Sequence, residues 1–257
     1  MTVKSGRSQG AGQRRRICLA GVTGRVGKAI ACAILAAHDL ELVGAVSRKN
    51  AGKVVGEAVG DCSSRLPITG TVEEALEQGT DVLIDFTTSE AAPDHARAAL
   101  RRGIHVVIGP TRIPENQWQE IDELARDSHL SVAFASNYAI TMAFLQHLAC
   151  KAARQFSEWE IIDRAGPGIR APLGTTVELR QRMMEAGAKE RPPVIHSVRL
   201  PGVVSQVEAI FGEMEEQLIL THTCSNPAAY AKGTLAAARR AGAWSGLMCG
   251  LDRILGF

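Results

Sequence analysis

Three glycines with a regular spacing form the clearest chemical signal in the sequence. Gly21, Gly24 and Gly27 stand between a short apolar run and a helical pattern. Residues without a side chain let backbone N–H groups and a helix N-terminus approach a pyrophosphate closely. The spacing departs from the usual G-x-G-x-x-G because Thr23 occupies the place of the middle glycine. The run predicts a nucleotide-binding loop, with a plain glycine-rich turn as the alternative.

The residues that follow the second apolar run indicate which nucleotide this loop would take. A carboxylate about 20 residues after the glycines holds the ribose hydroxyls of NAD. This chain instead has Ser47, Arg48 and Lys49, and Arg25 adds a cation within the loop itself. A hydroxyl and cations suit a 2′-phosphate through charge-assisted hydrogen bonds. We therefore predict NADPH as the cofactor, with NADH possible. The alternative is that Arg48 and Lys49 only begin a solvated loop.

Composition and charge exclude several classes of protein. The chain has 257 residues, 46% of them hydrophobic and 22% charged, which is typical of a globular protein with a substantial core. No apolar run approaches the roughly 20 residues that cross a bilayer, and the start of the chain lacks the apolar run of a signal peptide. We therefore expect a cytoplasmic protein without a membrane partner.

The first residues of the chain and its cysteines suggest no further partner. Residues 1–16 carry five cations and no acid, namely Lys4, Arg7, Arg14, Arg15 and Arg16. Such a run can bind nucleic acid, but at a terminus it is more typical of a disordered basic tail, which we place at residues 1–15. We therefore expect no nucleic-acid partner. The six cysteines form no CxxC pair, which favours free thiols over disulfides or a metal site.

The patterns up to residue 137 alternate between strands and helices. Apolar runs predict strands at residues 16–20, 40–46, 81–86, 106–108 and 131–134. Helical patterns separate them at residues 28–37, 72–77, 89–101 and 114–127. This alternation predicts an α/β fold, with a Rossmann-type parallel sheet and helices on both of its faces.

From residue 138 the pattern changes. Helices are predicted at residues 142–156, 176–186 and 228–240, and strand-like runs at residues 158–163, 194–198, 203–211 and 217–223. The first part of the chain, residues 16–137, is therefore predicted to form the domain with the parallel sheet. Residues 138–226 are predicted to form a smaller mixed α/β domain with a mostly antiparallel sheet.

Several short motifs occur in an order and with gaps that are typical of one family. They are GVTGRVG at residues 21–27, IDFT at 84–87, VIGPT at 107–111, FASNY at 134–138, VRLPG at 198–202 and FG at 211–212. Together they resemble the 4-hydroxy-tetrahydrodipicolinate (dihydrodipicolinate) reductases of bacterial lysine biosynthesis, over about residues 16–257. The resemblance implies a dinucleotide-binding domain at residues 16–137 and 227–257, closed by the C-terminal helix, and a domain at residues 138–226 that binds substrate and supports oligomerisation. It also implies a homotetramer that transfers hydride from NAD(P)H to a small cyclic conjugated imine.

The resemblance also implies which residues bind the cofactor. Gly21, Gly24, Arg25 and Val26 would form the cofactor loop, beside Thr23. The nicotinamide side would be lined by Phe86, Thr87, Gly109, Thr111, Ala135, Asn137 and Tyr138. All of these positions lie at or just after the predicted strand ends, where an open parallel sheet places its ligand crevice.

One segment departs from the family pattern. Members of the family carry a segment of the type E-x-H-H-x-x-K-x-D-A-P-S-G-T, whose first histidine is the proton donor and whose lysine contacts the substrate. Residues 163–175 of this chain read DRAGPGIRAPLGT, one residue shorter and without either histidine or the lysine. The substrate contacts implied here are Thr111, Arg170, Gly174 and Thr175. We therefore expect either a replacement for the general acid or a substrate other than the lysine precursor.

Three residues are candidates for the missing catalytic groups. Arg170 lies near the lost lysine in sequence and can bind a carboxylate, but it cannot donate a proton near neutral pH. Asp163 would act as a general acid if burial raised its pKa. The alternative is that Asp163 is a carboxylate at the surface or at the end of a strand, without a catalytic role. Tyr138 offers a phenol beside the nicotinamide.

Three functions stay open at this point. The first is a reductase of a small cyclic imine or of a conjugated C=N or C=C compound, with a substrate that differs from the lysine precursor. The second is an amine or imine dehydrogenase that works by reductive amination. The third is a catalytically silent NADP-binding homologue, which the absent histidines and lysine support.

Overall fold

The computed structural model describes residues 14–60, 64–187 and 192–257. The expected tail over residues 1–15 therefore lies almost entirely outside the described residues, as does Cys62. Arg15 already belongs to the first strand, and its guanidinium donates to the carbonyl oxygens of Ala238 (2.5 Å) and Arg239 (2.9 Å). Within the described part of the chain, no helix has the length and apolar character needed to span a membrane.

The described chain folds into strands and helices that alternate in its first half. The strands are β1 (Arg15–Ala20), β2 (Leu40–Val46), β3 (Val82–Asp85), β4 (His105–Ile108), β5 (Ser131–Phe134), β6 (Glu158–Ala165), β7 (Ile195–Arg199), β8 (Ser205–Gly212), β9 (Gln217–Cys224) and β10 (Gly246–Cys249). The α-helices are α1 (Arg25–Leu35), α2 (Val55–Val59), α3 (Val72–Leu76), α4 (Ala92–Leu100), α5 (Glu115–Asp127), α6 (Ile140–Ala152), α7 (Gly174–Gly187), α8 (Ala229–Arg240) and α9 (Leu251–Leu255). A 3-10 turn covers Arg48–Asn50.

Six strands form a parallel sheet in the order β10-β5-β4-β3-β1-β2. From β1 the chain moves to β2 on one side and then to β3 on the other. This reversal opens a crevice above the carboxyl ends of β1 and β3, the position at which open parallel sheets bind their ligands. The predicted Rossmann-type sheet is confirmed.

Helices cover both faces of this sheet. On one face α1 and α8 contribute Ile30 and Leu235 to an apolar core. On the other face α3, α4 and α5 contribute Leu76, Leu100 and Ile121. Strands that are buried on both faces consist of continuous runs of apolar residues. This is why β1 to β5 could be predicted from the sequence.

Four strands form a second, mixed sheet in the order β7-β6-β8-β9. Trp159, Ile161, Val207 and Phe211 point to one face and pack with Leu179 of α7. β6 pairs antiparallel with β8, and β8 with β9, as predicted. β7 is parallel to β6, which the sequence analysis did not anticipate. The reason is topological, because α7 lies between these strands and the crossover that carries a helix returns the chain in the same direction.

The end of the chain completes the parallel sheet. β10 pairs with β5, from Gly246 opposite Ser131 to Cys249 opposite Phe134. The sequence analysis missed both β10 and α9. β10 begins at Gly246 and ends at the exposed Cys249, so it lacks the unbroken run of buried apolar residues that identified the other strands of four residues. The α8 helix also closes tightly onto this half of the molecule. A Cβ atom on Gly233 would overlap the carbonyl oxygen of Tyr138.

Candidate active site

The glycine loop needs bare backbone at two of its three glycines. Gly21 has φ +84°, and a Cβ atom there would lie 2.6 Å from the carbonyl oxygen of Phe86. A Cβ atom on Gly27 would overlap the Gly21 carbonyl. Helix α1 begins directly after Gly24, with no side-chain cap and no acidic residue in its first turn. Its first N–H groups are therefore open to an anion, and the loop fits the pyrophosphate of a dinucleotide.

A hydroxyl cluster joins this loop to the end of β2. The Thr23 and Ser47 hydroxyl oxygens are 2.8 Å apart, and the Asn50 side-chain amide donates to both at 3.3 Å. Arg48 and Lys49 extend from the adjoining 3-10 turn into solvent. The structure thus brings the residues predicted to hold the 2′-phosphate next to the loop. Asn50 was missed, because a lone amide in a loop carries no spacing signal.

A cleft of about 320 Å³ lies above the carboxyl ends of the parallel strands. Its lining includes these predicted site residues: Arg25, Val26, Phe86, Gly109, Thr111, Ala135, Asn137, Tyr138, Gly174 and Thr175. The sequence analysis did not assign these further lining residues to the site: Ser136, Ile169, Leu173, Val204, Ser205, Pro227 and Tyr230. The cleft therefore combines the strand ends of the parallel sheet with segments of the second, mixed-sheet region.

One wall of the cleft is aromatic. A Cβ atom on Gly109 would lie 2.5 Å from the Phe86 ring, so this ring rests against bare backbone. The Phe86 and Tyr138 rings have centroids 5.6 Å apart and are tilted by 58°. Tyr230 lies in the same cleft, and burial together with the neighbouring Cys224 raises the pKa of its hydroxyl above the usual range.

Thr87 turns away from the cleft that it was predicted to line. Its N–H and its hydroxyl both donate to Asp85 Oδ1, at 2.7 Å and 2.6 Å. The other Asp85 carboxylate oxygen lies 2.6 Å from His95 Nδ1. Thr87 therefore shapes the turn after β3 and does not contribute its hydroxyl to the lining of the cleft.

Tyr138 is placed in the cleft as predicted, but its hydroxyl is engaged elsewhere. The residue is buried, and the hydroxyl donates to the carbonyl oxygens of Ile108 (2.8 Å) and Ala133 (3.3 Å). Burial also raises the pKa of Tyr138 well above its usual range. The geometry therefore corrects the expected role of Tyr138, since a weaker acid bonded to main-chain oxygens is a poor proton donor to a ligand.

Asp163 is also corrected as a candidate acid. It is fully buried on β6, where it pairs with Arg199 at 2.8 Å and accepts the Leu173 N–H at 2.7 Å. Burial acts to raise its pKa, but the hydrogen bonds from Arg199 and Leu173 outweigh burial and hold the pKa below its ordinary value. Asp163 therefore stays ionised, contrary to the expectation that burial would make it an acid.

Arg170 does not line the cleft. It is exposed and borders a neighbouring cavity of about 740 Å³, which also touches Trp118 and Arg182. The two cavities share Thr111, Ser136 and Gly174 in their linings. The sequence placed Arg170 near the lost lysine, but in the fold it is exposed and belongs to the lining of the neighbouring cavity.

The described residues contain neither a cluster of metal-binding side chains nor a disulfide bond. No three His, Cys, Asp or Glu side chains of this part of the chain gather as metal ligands. The free cysteines among them are Cys18, Cys32, Cys150, Cys224 and Cys249.

Comparison with known proteins identifies the family. The model described as "Dihydrodipicolinate reductase, N-terminus" matches residues 15–138, and the model described as "Dihydrodipicolinate reductase, C-terminus" matches residues 139–255. The chain belongs to the dihydrodipicolinate reductase family. The 4-hydroxy-tetrahydrodipicolinate reductase of Thermosynechococcus vestitus is 31% identical over 265 residues, covering 93% of this chain and 96% of that protein.

The solved structures that resemble this chain include a dihydrodipicolinate reductase. The dipicolinate-bound dihydrodipicolinate reductase of Paenisporosarcina sp. TG-14 superposes with a TM-score of 0.82 at 25% identity, covering 95% of this chain and 100% of that one. An amine dehydrogenase of Mycobacterium smegmatis shares the fold, with a TM-score of 0.70 at 16% identity over 93% of this chain and 95% of that one. Membership in the dihydrodipicolinate reductase family supports a pyridine-nucleotide-dependent reductase.

Proposed function

We propose that the protein is an NADPH-dependent reductase of a small C=N or conjugated C=C compound other than the lysine precursor. The observation that carries this proposal is the cleft itself. It lies where the parallel strands end, it is walled by Phe86 against Gly109, and it continues to Thr175 at the start of α7. It contains neither a histidine nor a lysine among its described lining residues.

In this proposal the cofactor is held along the carboxyl edge of the parallel sheet. The backbone of Gly21, Gly24, Arg25 and Val26 binds the pyrophosphate at the start of α1. Thr23, Ser47, Arg48 and Lys49 bind the 2′-phosphate, which explains a preference for NADPH over NADH. Phe86, Gly109, Thr111, Ala135, Asn137 and Tyr138 border the nicotinamide. A reduced nicotinamide supplies a hydride equivalent when bound.

The substrate side of the cleft is formed by short polar groups and backbone. Thr175 is buried, and its hydroxyl is 3.3 Å from the Ser136 carbonyl oxygen. The Ser136 hydroxyl is buried without a hydrogen-bond partner among the described residues. We propose that Thr111, Gly174 and Thr175 contact the substrate and that Ser136 donates a hydrogen bond to it, because an unpaired buried hydroxyl gains most from such a bond.

Each part of the chain has its own role in this proposal. Residues 16–137 and 227–257 bind the dinucleotide, and residues 138–226 bind substrate and assemble a homotetramer in the cytoplasm. Ile219 of β9 lies opposite Ile210 of β8 on the face of the mixed sheet that points away from its core, and the two support the assembly, since Ile219 has an exposed fraction of 53%. An apolar sheet surface of this kind is better buried against a second copy than left in water.

The test is to mix the purified protein with NADPH and a panel of cyclic imines that includes the dihydrodipicolinate synthase product. NADPH binding is measured by calorimetry and turnover by loss of NADPH absorbance. We expect turnover, independent of ammonia, of a panel member other than the synthase product. Turnover of the synthase product alone would overturn the proposed choice of substrate. Turnover only with ammonia would identify an amine dehydrogenase instead. Binding without turnover of any compound would identify a silent homologue, and either result would overturn the proposal.

A further inference from the structure

A histidine outside the cleft contacts the turn that carries part of the cleft wall. His95 lies near the start of α4, and its Nδ1 is 2.6 Å from Asp85 Oδ2 at the end of β3. The Asp85 side chain is fully buried, and the His95 side chain is 21% exposed. The Asp85 carboxylate accepts hydrogen bonds and donates none, so His95 Nδ1 is the donor in this pair. His95 itself does not line the cleft.

The rest of Asp85 fixes the turn after β3. Its Oδ1 accepts the N–H and the hydroxyl of Thr87 at 2.7 Å and 2.6 Å. Its carbonyl oxygen accepts the Gly109 N–H at 2.8 Å, and the ring of Phe86, the residue between Asp85 and Thr87, lies against Gly109. Thr87 thus holds one carboxylate oxygen from within the turn, and His95 holds the other from the helix.

The same turn also supports a second residue of the cleft. The Ser89 hydroxyl donates to the carbonyl oxygen of Thr111 at 2.8 Å, and Thr111 lines the cleft. The glycine loop has an anchor of its own, because the N–H groups of Gly21 and Val22 donate to the Val46 carbonyl oxygen at 3.0 Å and 3.2 Å. The phosphate end of the site is therefore held independently of the Asp85 carboxylate.

Loss of the His95 donor would leave Asp85 Oδ2 buried without a hydrogen bond. A buried acceptor without a partner is costly, and more so when it carries charge. The carboxylate can reach a new donor only by rotating, which breaks its bonds to Thr87. The turn would then lose its fixed direction, and the Phe86 ring would move with it.

We propose that His95 is a positioning residue for the nicotinamide half of the cofactor and that it acts through Asp85. It holds the turn after β3 so that Phe86 meets the nicotinamide in a single orientation. This inference rests on the proposed NADPH-dependent reductase, because it requires a nicotinamide against the wall formed by Phe86 and Gly109.

A matched pair of ligands separates the two halves of the cofactor. NADPH and 2′-phospho-ADP-ribose differ only at the nicotinamide, in whose place the second compound has a hydroxyl group. In His95→Leu we expect calorimetry to give an NADPH Kd about tenfold higher than in the parent, with an unchanged Kd for 2′-phospho-ADP-ribose. The fluorescence emission of bound NADPH should move toward that of free NADPH. An unchanged NADPH Kd, or an equal rise for both ligands, would overturn the inference.

Two variants separate positioning from a general loss of stability. His95→Asn places its amide nitrogen where Nδ1 lies, so the NADPH Kd should stay within about twofold of the parent value. Leu100→Ala removes a buried side chain at the other end of α4. It should lower the melting temperature and leave the ratio of the two Kd values unchanged. A tenfold loss of NADPH affinity in either variant would show that the donor to Asp85 is not what matters.

His95→Ala gives a second route should the leucine variant fail to fold. Free imidazole can enter the space left by the ring, because this ring is partly exposed. We expect an NADPH Kd about tenfold above the parent value in buffer and a return toward that value with added imidazole. Imidazole should have no effect on Leu100→Ala. No recovery in a folded His95→Ala protein counts against the inference.

The outcomes separate this inference from the proposed function. A parent protein that binds neither NADPH nor NADH would remove both. NADPH binding that is equal in the parent and in His95→Leu would leave the reductase standing and remove the positioning role. A selective loss of NADPH affinity, with no turnover of any imine by the parent, would leave the positioning role standing and remove the reductase.

Discussion

Asp163 and Arg199 join the parallel strands β6 and β7 and fix the segment that leaves β6 for the cleft. Asp163 Oδ1 is 2.8 Å from Arg199 Nη1, and Oδ2 accepts the Leu173 N–H at 2.7 Å. Arg199 in turn donates to the carbonyl oxygens of Ile169 and Arg170. The pair thus holds residues 166–173 in the middle of the segment, at Ile169 and Arg170, and at its last residue, Leu173. A residue that the sequence suggested as an acid serves here to position the wall of the cleft.

The Asp163→Asn substitution is expected to destabilise the protein and weaken ligand binding at the cleft. Removing one charge from a buried pair costs about 3 kcal/mol in the free energy of unfolding. The NADPH affinity should stay unchanged, because the glycine loop is independent of this pair. Glu160→Gln is the control, since Glu160 pairs with His196 at the surface at 2.6 Å and such a pair contributes less than about 1 kcal/mol. Equal losses in both variants would contradict the positioning role.

The same pair predicts a dependence of stability on pH. The pKa of Asp163 is lowered from an ordinary value of 3.8. A depressed carboxyl pKa gives stability that is fully present above the unfolded value and is lost as the pH falls through the folded one. The free energy of unfolding should therefore fall more steeply with acid below that ordinary value in the parent protein than in Asp163→Asn. Parallel curves from denaturant titrations would refute this.

Gly21→Ala is expected to abolish NADPH binding and to lower stability. The substitution adds a methyl group 2.6 Å from the Phe86 carbonyl oxygen and forces alanine to φ +84°. Gly52→Ala isolates the backbone cost, since Gly52 has φ +86° with no atom within 4 Å of the added Cβ. We expect a loss of about 1 to 2 kcal/mol for Gly52→Ala, and at least about 2 kcal/mol more for Gly21→Ala. Thermal unfolding and calorimetry measure the two effects, and similar values for both variants would refute the close contact.

The choice between NADPH and NADH is expected to depend on the 3-10 turn after β2. Replacing Arg48 or Lys49 with alanine removes a charge from the proposed 2′-phosphate site. The Kd for NADPH should rise about tenfold while the Kd for NADH stays constant. Arg101→Ala, an exposed residue at the end of α4, should change neither value. An equal rise in the Kd of both nucleotides would show that the turn does not bind the 2′-phosphate.

Tyr138→Phe is expected to leave turnover within about twofold of the parent value, because the hydroxyl already donates to Ile108 and Ala133 main-chain oxygens. The lost buried hydrogen bond should lower the free energy of unfolding by about 1 kcal/mol. Steady-state kinetics with whichever imine is turned over provides the measurement. A fall of about a hundredfold or more would restore Tyr138 as the proton donor.

The sequence was most informative where residues are buried on both faces of a sheet. β5 has the predicted bounds, β1 begins one residue earlier than predicted, and β3 is one residue shorter than predicted at each end. Long apolar runs of this kind report burial directly. β10 was missed because it begins at Gly246 and is only partly buried, and because its position depends on pairing with a strand far away along the chain. Leu247, for example, is fixed by its N–H bond to Asp122 Oδ1 at 2.7 Å.

The candidate site was predictable where it follows the backbone and unpredictable where it depends on side-chain direction. Gly21 and Gly109 follow strand ends, so their positions come with the sheet. The roles of Asp163, Thr87 and Arg170 depend on which neighbour each side chain meets in three dimensions. Arg199 lies in one of the motifs that carried the resemblance, but nothing in a motif shows that its guanidinium binds a buried carboxylate.

Because β10 lies near the end of the sequence, it determines the order in which the two sheets are completed during synthesis. During synthesis, the backbone groups of β5 that pair with β10 stay without their partner until residues 246–249 have left the ribosome. The mixed sheet, whose strands precede β10, is therefore complete before the parallel sheet that begins the chain. The two halves form as nested units, and an incomplete chain carries an open strand edge that favours pairing with other chains.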